Sequence, residues 1–454
     1  MAATPERGSS RGGLASRWRT LRRWLQPGLG VKRWLLAMVV GTVLFGLAAA
    51  LLLLNLYNSS PQSLLVSVLG LGGPPHPLRI LVLLVGGVFL IYLSVFRLNR
   101  TLLAPYLRAG KPVVEAVAEH RRLGRGPKVV VVGGGTGLST LLRGMKHRTG
   151  NLTAIVTVAD DGGSSGRLRR TLGLPPPGDV RNCLAALSDD EDLLTQLFQY
   201  RFSGQGELEG HAFGNMLIAA LAGVTGSFER GVLEAGRVLA IRGQVLPATL
   251  VDVSLVADKA HALDDQAFRI EGESSIPMVP GQVLRVHLEP NDAPAYPEAI
   301  RALLAADLIA IGPGSLYTSI LPNLLVPGIA DAIRASRAFK VFICNIATQA
   351  GETDGYDCAG HLRALEEHTG RGLVDLMLVN LCPTPTIPEE ITPVRLAVNG
   401  LDVPVATDDV ADPDRPGHHD PARLADALVR LLEERTGPLD LPLAESSLTG
   451  RRLN

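Results

Sequence analysis

The sequence predicts an α/β fold with a doubly wound, mostly parallel sheet, preceded by a two-helix transmembrane hairpin. Four consecutive valines at 129–132 run directly into a glycine turn, and a second apolar run at 308–311 ends in the same way. Continuous apolar strands are typical of parallel sheets that are covered on both faces. Two long uncharged apolar runs lie upstream of the first strand. About 20 apolar residues is the length that a membrane-spanning helix needs.

Length, net charge and cysteine spacing limit the kinds of protein that this chain can be. A chain of 454 residues is long enough for one large α/β domain with an appendage. The formal net charge is zero, so the composition does not indicate a nucleic-acid partner. The cysteines are scattered without a C-x-x-C pair, which fits a reducing compartment and disfavours a zinc site. They are Cys183, Cys344, Cys358 and Cys382.

The two upstream apolar runs predict a transmembrane hairpin. Trp34–Leu54 is uncharged over 21 residues, Ile80–Phe96 is uncharged over 17, and Arg79 is the one charged residue between them. A cleaved signal peptide is the competing interpretation. It fits poorly, because the preceding basic segment is too long and the first apolar run exceeds the usual core of a signal peptide.

Basic residues outside the hairpin predict its orientation. Residues 1–33 carry eight Lys and Arg against Glu6, and residues 97–128 carry another eight. Lys and Arg accumulate on the cytoplasmic side of membrane proteins, so we expect a multi-pass protein of the cell (inner) membrane with both termini and the globular domain in the cytoplasm. Trp18 and Trp24 lie among arginines, as in an amphipathic helix on anionic lipid, but a basic tail accounts for them equally well. The predicted organisation is a basic segment (1–33), the hairpin (34–98), a basic linker (99–127), the globular domain (128–436) and a tail (437–454).

The turn after the valines predicts an anion site. Gly133–Gly137 lead into a helical pattern that includes Leu138, Leu141 and Met145. Unpaired N–H groups and the helix dipole point at one spot at such a junction, where phosphate is the usual occupant. The alternative is a tight βα turn without a ligand. Neither G-x-G-x-x-G nor a Walker lysine is present, which disfavours NAD and P-loop chemistry.

Polar groups follow the next predicted elements. Asp160 and Asp161 come after the second strand, where an acidic residue can bind ribose hydroxyls or a divalent cation; a solvated loop with an Asx turn is the alternative. Asp179 is predicted to cap the helix that follows Pro175–Pro177, with Asn182 in its first turns. Asn215 lies at another glycine-flanked helix start and could reach a base or a phosphate.

A second glycine turn, Gly312–Gly314, follows the apolar run at 308–311 and is succeeded by Ser315 and Tyr317. Parallel strands share one carboxyl edge, so both glycine turns should lie at one polar cleft. Tyr317 could stack on a base or sugar there. Near the carboxyl end, His418-His419-Asp420 could suggest a metal, although Asp420 just before Pro421 favours a helix cap.

These segments together resemble the CofD-like superfamily, and within it the gluconeogenesis-factor (YvcK) branch. The resemblance covers essentially the whole globular domain, whereas the membrane hairpin lies outside it. The segments that carry it are VVVVGGGTGLS, VTVADDGGSSGRLR, PPGDVRNCLAALS, GHAFGNMLIAAL, IGPGSLYTSILPNLLVPGI and ATQAGETDGY.

The resemblance implies a Rossmann-like fold that binds a UDP-sugar, UDP-N-acetylglucosamine in particular, and regulates cell shape, envelope synthesis and carbon metabolism without a required cofactor. Gly133–Gly137 and Ser139 would hold the diphosphate, and Asp160 and Asp161 would take ribose or a metal. Asn182 and Asn215 would position the ligand, and Tyr317 would line the sugar or base pocket. The residues expected to contact the ligand are Gly133, Gly134, Gly135, Thr136, Gly137, Ser139, Asp160, Asp161, Asp179, Asn182, Asn215, Gly314, Ser315 and Tyr317.

The sister branch offers an enzymatic alternative, a transferase that moves a 2-phospholactyl group onto a deazaflavin precursor with Mg²⁺. Asp160 and Asp161 would then be the metal ligands. Transfer of this type needs mainly positioned charge, so the absence of a nucleophile does not exclude it. No catalytic nucleophile–base pair is evident, so a ligand-binding regulator is favoured. A membrane scaffold with a vestigial site is the third hypothesis. A homo-oligomer, membrane lipid and an unknown envelope-synthesis protein are the other expected partners.

Overall fold

A computed structural model describes residues 31–57, 76–103, 122–188, 193–261, 264–381, 391–397 and 401–437. The chain divides into two compact units, Met1–Val117 and Ala118–Asn454. Five parts of the predicted organisation lie outside the described residues: the basic segment up to residue 30, residues 58–75 between the two predicted spans, much of the linker, Cys382 and nearly all of the tail.

The first unit contains two apolar helices, α1 (Val31–Tyr57) and α2 (His76–Leu103). They pack closely at two glycines, since a Cβ on Gly87 would lie 3.0 Å from the carbonyl oxygen of Gly41. Within the described residues, Leu81–Leu98 is the helical segment that by itself is long and apolar enough to cross a membrane, and the apolar stretch Leu36–Leu52 falls short of that length. Of the two predicted spans, the second is thus both long enough and apolar enough to cross a membrane within the described residues.

The second unit is an α/β domain in which strands and helices are interspersed, with runs of consecutive helices between β2 and β3 and of consecutive strands from β3 to β6. They are β1 (Val129–Gly133), α3 (Gly135–Met145), β2 (Leu152–Val156), α4 (Gly163–Leu172), α5 (Gly178–Leu187), α6 (Leu193–Gln199), α7 (Phe213–Thr225), α8 (Phe228–Val238), β3 (Gln244–Pro247), β4 (Ser254–His261), β5 (Asp264–Glu271), β6 (Gln282–Glu289), α9 (Pro297–Leu304), β7 (Leu308–Ile311), α10 (Leu321–Leu324), α11 (Ile329–Ala335), β8 (Phe339–Ile343), α12 (Cys358–Thr369), β9 (Leu376–Asn380), β10 (Val405–Asp408) and α13 (Pro421–Thr436).

Seven strands form one parallel sheet in the order β10-β9-β8-β7-β1-β2-β3. β1 is central and pairs with β2 on one side and β7 on the other, with Val129 opposite both Leu152 and Leu308. The predicted fold class is confirmed. The chain leaves β1 in one direction to build β2 and β3 and returns to its other side with β7. The gap between β1 and β7 is thus the topological switch point, where open α/β sheets bind their ligands.

Apolar residues cover both faces of this sheet, as the unbroken valine run predicted. Val129 and Val131 face a core that contains residues of α3, α5, α8 and α13. Val130 and Val132 face a second core, formed with α9–α12 and with a separate antiparallel sheet of order β5-β4-β6. That small sheet follows the parallel strand β3, and the turn between β5 and β6 reaches the carboxyl edge of the large sheet, as described below.

Candidate ligand-binding site

The two glycine loops meet at the switch point, as the shared carboxyl edge predicted. A Cβ added to Gly137 would lie 2.5 Å from the carbonyl oxygen of Pro313 and 3.0 Å from the Cα of Gly314. Contacts of this length to backbone are impossible for a real side chain, so only glycine allows the approach. Gly135 has a left-handed φ of 63°, which glycine also adopts without strain. A side chain at Gly137 would clash with the second glycine loop, and a side chain at Gly135 would strain the backbone.

A cavity of about 300 Å³ opens between the loops. Its floor is the start of α3, where the N-cap residue Gly134 has no side chain to bond the first N–H groups. Such an N-terminus favours an anion. The described residues that line the cavity are Gly134, Gly135, Thr136, Gly137, Thr140, Pro313, Gly314, Ser315, Ser319, Asn345, Ile346, Ala347, Thr348, Gln349, Ile391, Pro416, Gly417, His418 and His419.

Two amide side chains after β8 hold the second glycine loop in place. Asn345 donates from Nδ2 to the carbonyl oxygen of Gly314 at 2.9 Å. Gln349 donates from Nε2 to Ser315 Oγ at 2.6 Å. Ser315 and Gly314 therefore line the cavity in a fixed arrangement, in agreement with their expected position.

Asp179 has a different role from the one predicted. It lies in the first turn of α5, whose N-cap is Pro177, so Asp179 does not cap its own helix. Its carboxylate instead accepts a hydrogen bond from the backbone N–H of Gly135, at the start of α3. Burial and the neighbouring charge of Asp160 raise the pKa of Asp179 to about 6, while the bond to Gly135 and the charge of Arg181 oppose the rise. The prediction was wrong because the helix that Asp179 caps is distant in sequence.

Four carboxyl groups gather on the β2 side of the glycine loop. Asp160 and Asp161 follow β2, and Glu273 reaches them from the turn between β5 and β6, where the backbone N–H of Ser274 donates to Asp161 at 2.9 Å. Burial, followed by the charges of Asp160, Asp179 and Asp161, raises the pKa of Glu273 to about 8. Burial is also the main cause of the raised pKa of Asp160. Burial and like-charge repulsion therefore favour the protonated form of Glu273.

A serine and an asparagine support the Asp160 loop. Ser165 donates to Asp160, and the buried Asn215 donates from Nδ2 to Ser164 Oγ at 3.1 Å. Ser164 also contacts Nδ1 of His211 at 3.1 Å, which gives His211 a structural role. Asn215 therefore acts through the serines of this loop. Asn182 accepts a hydrogen bond from the neighbouring Arg181 at 2.9 Å.

Other predicted ligand contacts are engaged elsewhere. The Ser139 hydroxyl donates to the carbonyl oxygen of Gly135 inside α3. Tyr317 is 2% exposed, its hydroxyl bonds that of Tyr356 at 2.8 Å, and its ring packs edge-on against His368. The structure places Tyr317 in the hydrophobic core instead of along the cavity wall, because the π-helical turn Leu316–Ile320 directs the side chain inward.

Several residues near the site carried no functional prediction. Glu352, in the segment GETDGY, accepts hydrogen bonds from the Thr318 hydroxyl at 3.0 Å and from the backbone N–H groups of Tyr317 and Thr318. The fully buried Lys259 donates to the carbonyl oxygens of Ile276, Val279 and Gly351. Both sets of hydrogen bonds join segments that are remote in sequence, so no local pattern predicts them. The one signal in the sequence is Glu352 itself, an acidic residue in a glycine-containing segment.

Asp420 caps α13 as predicted, since its carboxylate accepts from the backbone N–H of Arg423 at 2.8 Å. Among the residues that the structure describes, no three His, Cys, Asp or Glu side chains converge as a metal site. Asp160 and Asp161 could still suit Mg²⁺, which is usually held by one or two carboxylates together with substrate phosphates.

Comparison with known proteins places this architecture in a family. A sequence profile described as 2-phospho-L-lactate transferase CofD matches residues 129–410. The chain belongs to the CofD-like family. Its matched relatives include a putative gluconeogenesis factor from Nostoc sp., 50% identical over 79% of this chain and 78% of the relative. A gluconeogenesis factor from Bacillus subtilis is 52% identical over 59% of this chain and 82% of the relative.

A solved structure of the same branch supports the fold. The crystal structure of a UPF0052-family protein from Bacillus halodurans superimposes with a TM-score of 0.62 at 46% identity, covering 67% of this chain and 98% of the other. The CofD-like fold of this chain therefore resides in its α/β unit, and the expected family resemblance is confirmed.

Proposed function

We propose that this CofD-like chain is a membrane-anchored, cytoplasm-facing protein that binds UDP-N-acetylglucosamine or a related UDP-sugar. The observation that carries the proposal is the meeting of two glycine loops at the start of α3, beside a cavity at the switch point. A diphosphate fits that position because backbone N–H groups and the helix dipole favour an anion there. The names of the gluconeogenesis-factor relatives support a role in carbon metabolism. We further propose regulation of cell shape and envelope synthesis, which the family resemblance implies.

Binding is tested by calorimetric titration of the full chain in detergent micelles with UDP-N-acetylglucosamine, with and without Mg²⁺. We expect saturable binding of a ligand that is recovered intact, and much weaker binding of GDP and CDP as control ligands. Absence of binding to any UDP-linked ligand would contradict the proposal and favour the transferase described next, whereas failure to bind any nucleotide would favour a scaffold with a vestigial site.

The second candidate function is a Mg²⁺-dependent 2-phospholactate transferase that acts on a deazaflavin precursor. The name of the matching profile and the carboxyl groups of Asp160 and Asp161 favour it. Those carboxylates would hold Mg²⁺ against a substrate phosphate, and the metal would neutralise developing charge. Turnover of a phospholactyl donor that requires both Mg²⁺ and the deazaflavin precursor would support this function over the regulator.

Membrane attachment is proposed to act through the N-terminal hairpin. α2 carries a segment of sufficient length and apolarity, and α1 packs directly against it. A tether of this kind would hold the sugar-binding unit near lipid-linked steps of envelope synthesis, where an unidentified partner protein would respond to the ligand.

We expect the full chain to stay in the membrane fraction at high salt and high pH, and a chain lacking residues 1–98 to move to the soluble fraction. Insertion into the hydrocarbon core resists both treatments, whereas attachment through basic residues is screened by salt. Release of the full chain by salt alone, or retention of the truncated chain, would argue against the hairpin as the anchor.

A further inference from the structure

The wall of the cavity carries two buried acceptor atoms without partners among the described residues. His419 is 7% exposed and Gln349 is half-buried, and both line the cavity. Within the described part of the chain, His419 Nε2 and Gln349 Oε1 have no hydrogen-bond partner. A buried acceptor left unpaired is costly, so two of them on one cavity wall indicate donors supplied by a ligand.

The chemistry of the His419 acceptor follows from its surroundings. Its other ring N–H donates to the backbone carbonyl oxygen of Cys344, at the end of β8, which leaves Nε2 with the lone pair. Burial lowers the pKa of His419 to about 4, so the ring is neutral at physiological pH. A neutral imidazole with this orientation accepts a hydrogen bond and does not neutralise a phosphate.

Different residues of the cavity therefore supply hydrogen-bond donors and hydrogen-bond acceptors. The start of α3 offers backbone donors, and His419 and Gln349, which line the same cavity, offer acceptors. None of the described lining residues is Phe, Tyr or Trp, and none is Asp, Glu, Lys or Arg. A nucleobase usually finds an aromatic surface to stack on. A group with many hydroxyl donors suits this wall better.

Strand order separates this wall from the ribose end. Asp160 follows β2, on one side of β1, whereas Gln349 follows β8, on the other side beyond β7. A ligand whose diphosphate lies at the start of α3 and whose ribose lies toward Asp160 would place the group beyond the diphosphate in the cavity.

We propose that His419 and Gln349 are the sugar-selecting residues of the site, accepting hydrogen bonds from hydroxyl or amide N–H donors on a hexose linked to the diphosphate. This inference rests on the proposed function, because it assumes that the anion at α3 is the diphosphate of a sugar nucleotide. In this proposal, the loop before α13 and the segment after β8 discriminate between a nucleoside diphosphate and its sugar conjugate.

The test compares UDP-N-acetylglucosamine, UDP-glucose and UDP as ligands of the full chain in micelles. His419→Phe retains a flat ring but removes the acceptor, and we expect it to weaken both UDP-sugars by about tenfold while UDP binding stays within about twofold. His419→Gln keeps an acceptor and should recover part of the loss.

His361 provides a matched control. It is 1% exposed, its Nδ1 lies 2.8 Å from the carbonyl oxygen of Asp357, and its Nε2 is also unpartnered, but it does not line the cavity. His361→Phe should leave the ratio of UDP-sugar to UDP affinity unchanged. If His419→Phe does not fold, His419→Leu, which removes the acceptor with a smaller side chain, supplies a second variant, for which we expect the same selective loss.

The outcomes separate this inference from the proposed function. Failure of the unaltered chain to bind UDP-sugars or UDP would remove the proposed function itself. Equal weakening of UDP and its sugar conjugates in His419→Phe, or no weakening of either, would overturn the sugar-selecting role while leaving the nucleotide site intact. Selective weakening by His361→Phe would also overturn it, because the effect would then be unrelated to the cavity.

Discussion

Gly137→Ala is expected to abolish detectable UDP-sugar binding at micromolar protein and to destabilise the α/β unit by about 2–3 kcal/mol. The added Cβ would lie 2.5 Å from the carbonyl oxygen and 2.8 Å from the carbonyl carbon of Pro313. Backbone atoms cannot turn aside as a flexible side chain can, so α3 and the second glycine loop must separate. The site depends on their contact, and we expect an affinity loss of at least about 100-fold, which equals about 2.7 kcal/mol.

Gly133→Ala is the matched control for this experiment. It is another glycine of the same loop, but the nearest atoms to its added Cβ are Leu138 Cβ and the Pro313 carbonyl oxygen, both at 3.8 Å. That is ordinary van der Waals contact, so binding and unfolding should change little. Titration calorimetry measures the ligand affinity of both variants, and urea denaturation measures their free energies of unfolding. Retention of full affinity in Gly137→Ala would show that close approach of the loops is unnecessary for the ligand.

Lys259→Met is expected to lower the free energy of unfolding of the α/β unit by about 3 kcal/mol, the cost of leaving buried polar groups unpaired. The ammonium group donates at 2.9 Å to Ile276 and at 2.8 Å to Gly351, and also to Val279, so it joins the small antiparallel sheet to the segment GETDGY. Burial lowers the pKa of Lys259, while the charges of Glu352 and Asp354 oppose this shift.

Lys128→Met serves as the control, because Lys128 is an exposed lysine just before β1. Its replacement should change the free energy of unfolding by no more than about 0.5 kcal/mol. The measurement is urea denaturation of each full-length variant, followed by intrinsic tyrosine fluorescence. A Lys259→Met midpoint equal to that of Lys128→Met would mean that water replaces the ammonium group without loss.

Much of the central sheet could be predicted because its signals are local. The valine run before Gly133 and the apolar run at 308–311 are each complete within a few residues, and both strands lie at the predicted positions. The shared carboxyl edge of parallel strands then brings their glycine loops together without knowledge of any side-chain contact. The Asp420 cap was predictable for the same reason, since the N–H it accepts from lies three residues away.

The roles of single side chains at the site were less accessible. Asp179 was expected to cap the helix it begins, but its partner is Gly135, in an element far away in the chain. Tyr317 has an aromatic ring that could stack on a base or sugar, yet it lies in a π-helical turn and its side chain is part of the hydrophobic core. Glu273 meets Asp160 and Asp161 only because the turn between β5 and β6 folds back over the end of β2.

The amino-acid sequence alone thus determined the fold class, the family and the meeting of two glycine loops at one edge of the sheet. Those features depend on periodicity, glycine geometry and helix ends, all of which act over a few residues. The tertiary structure was needed to identify the buried polar groups in and near the candidate site, among them Glu273, Lys259 and His419. Their burial, charge and free lone pairs arise from contacts between segments tens to hundreds of residues apart, which no local pattern encodes.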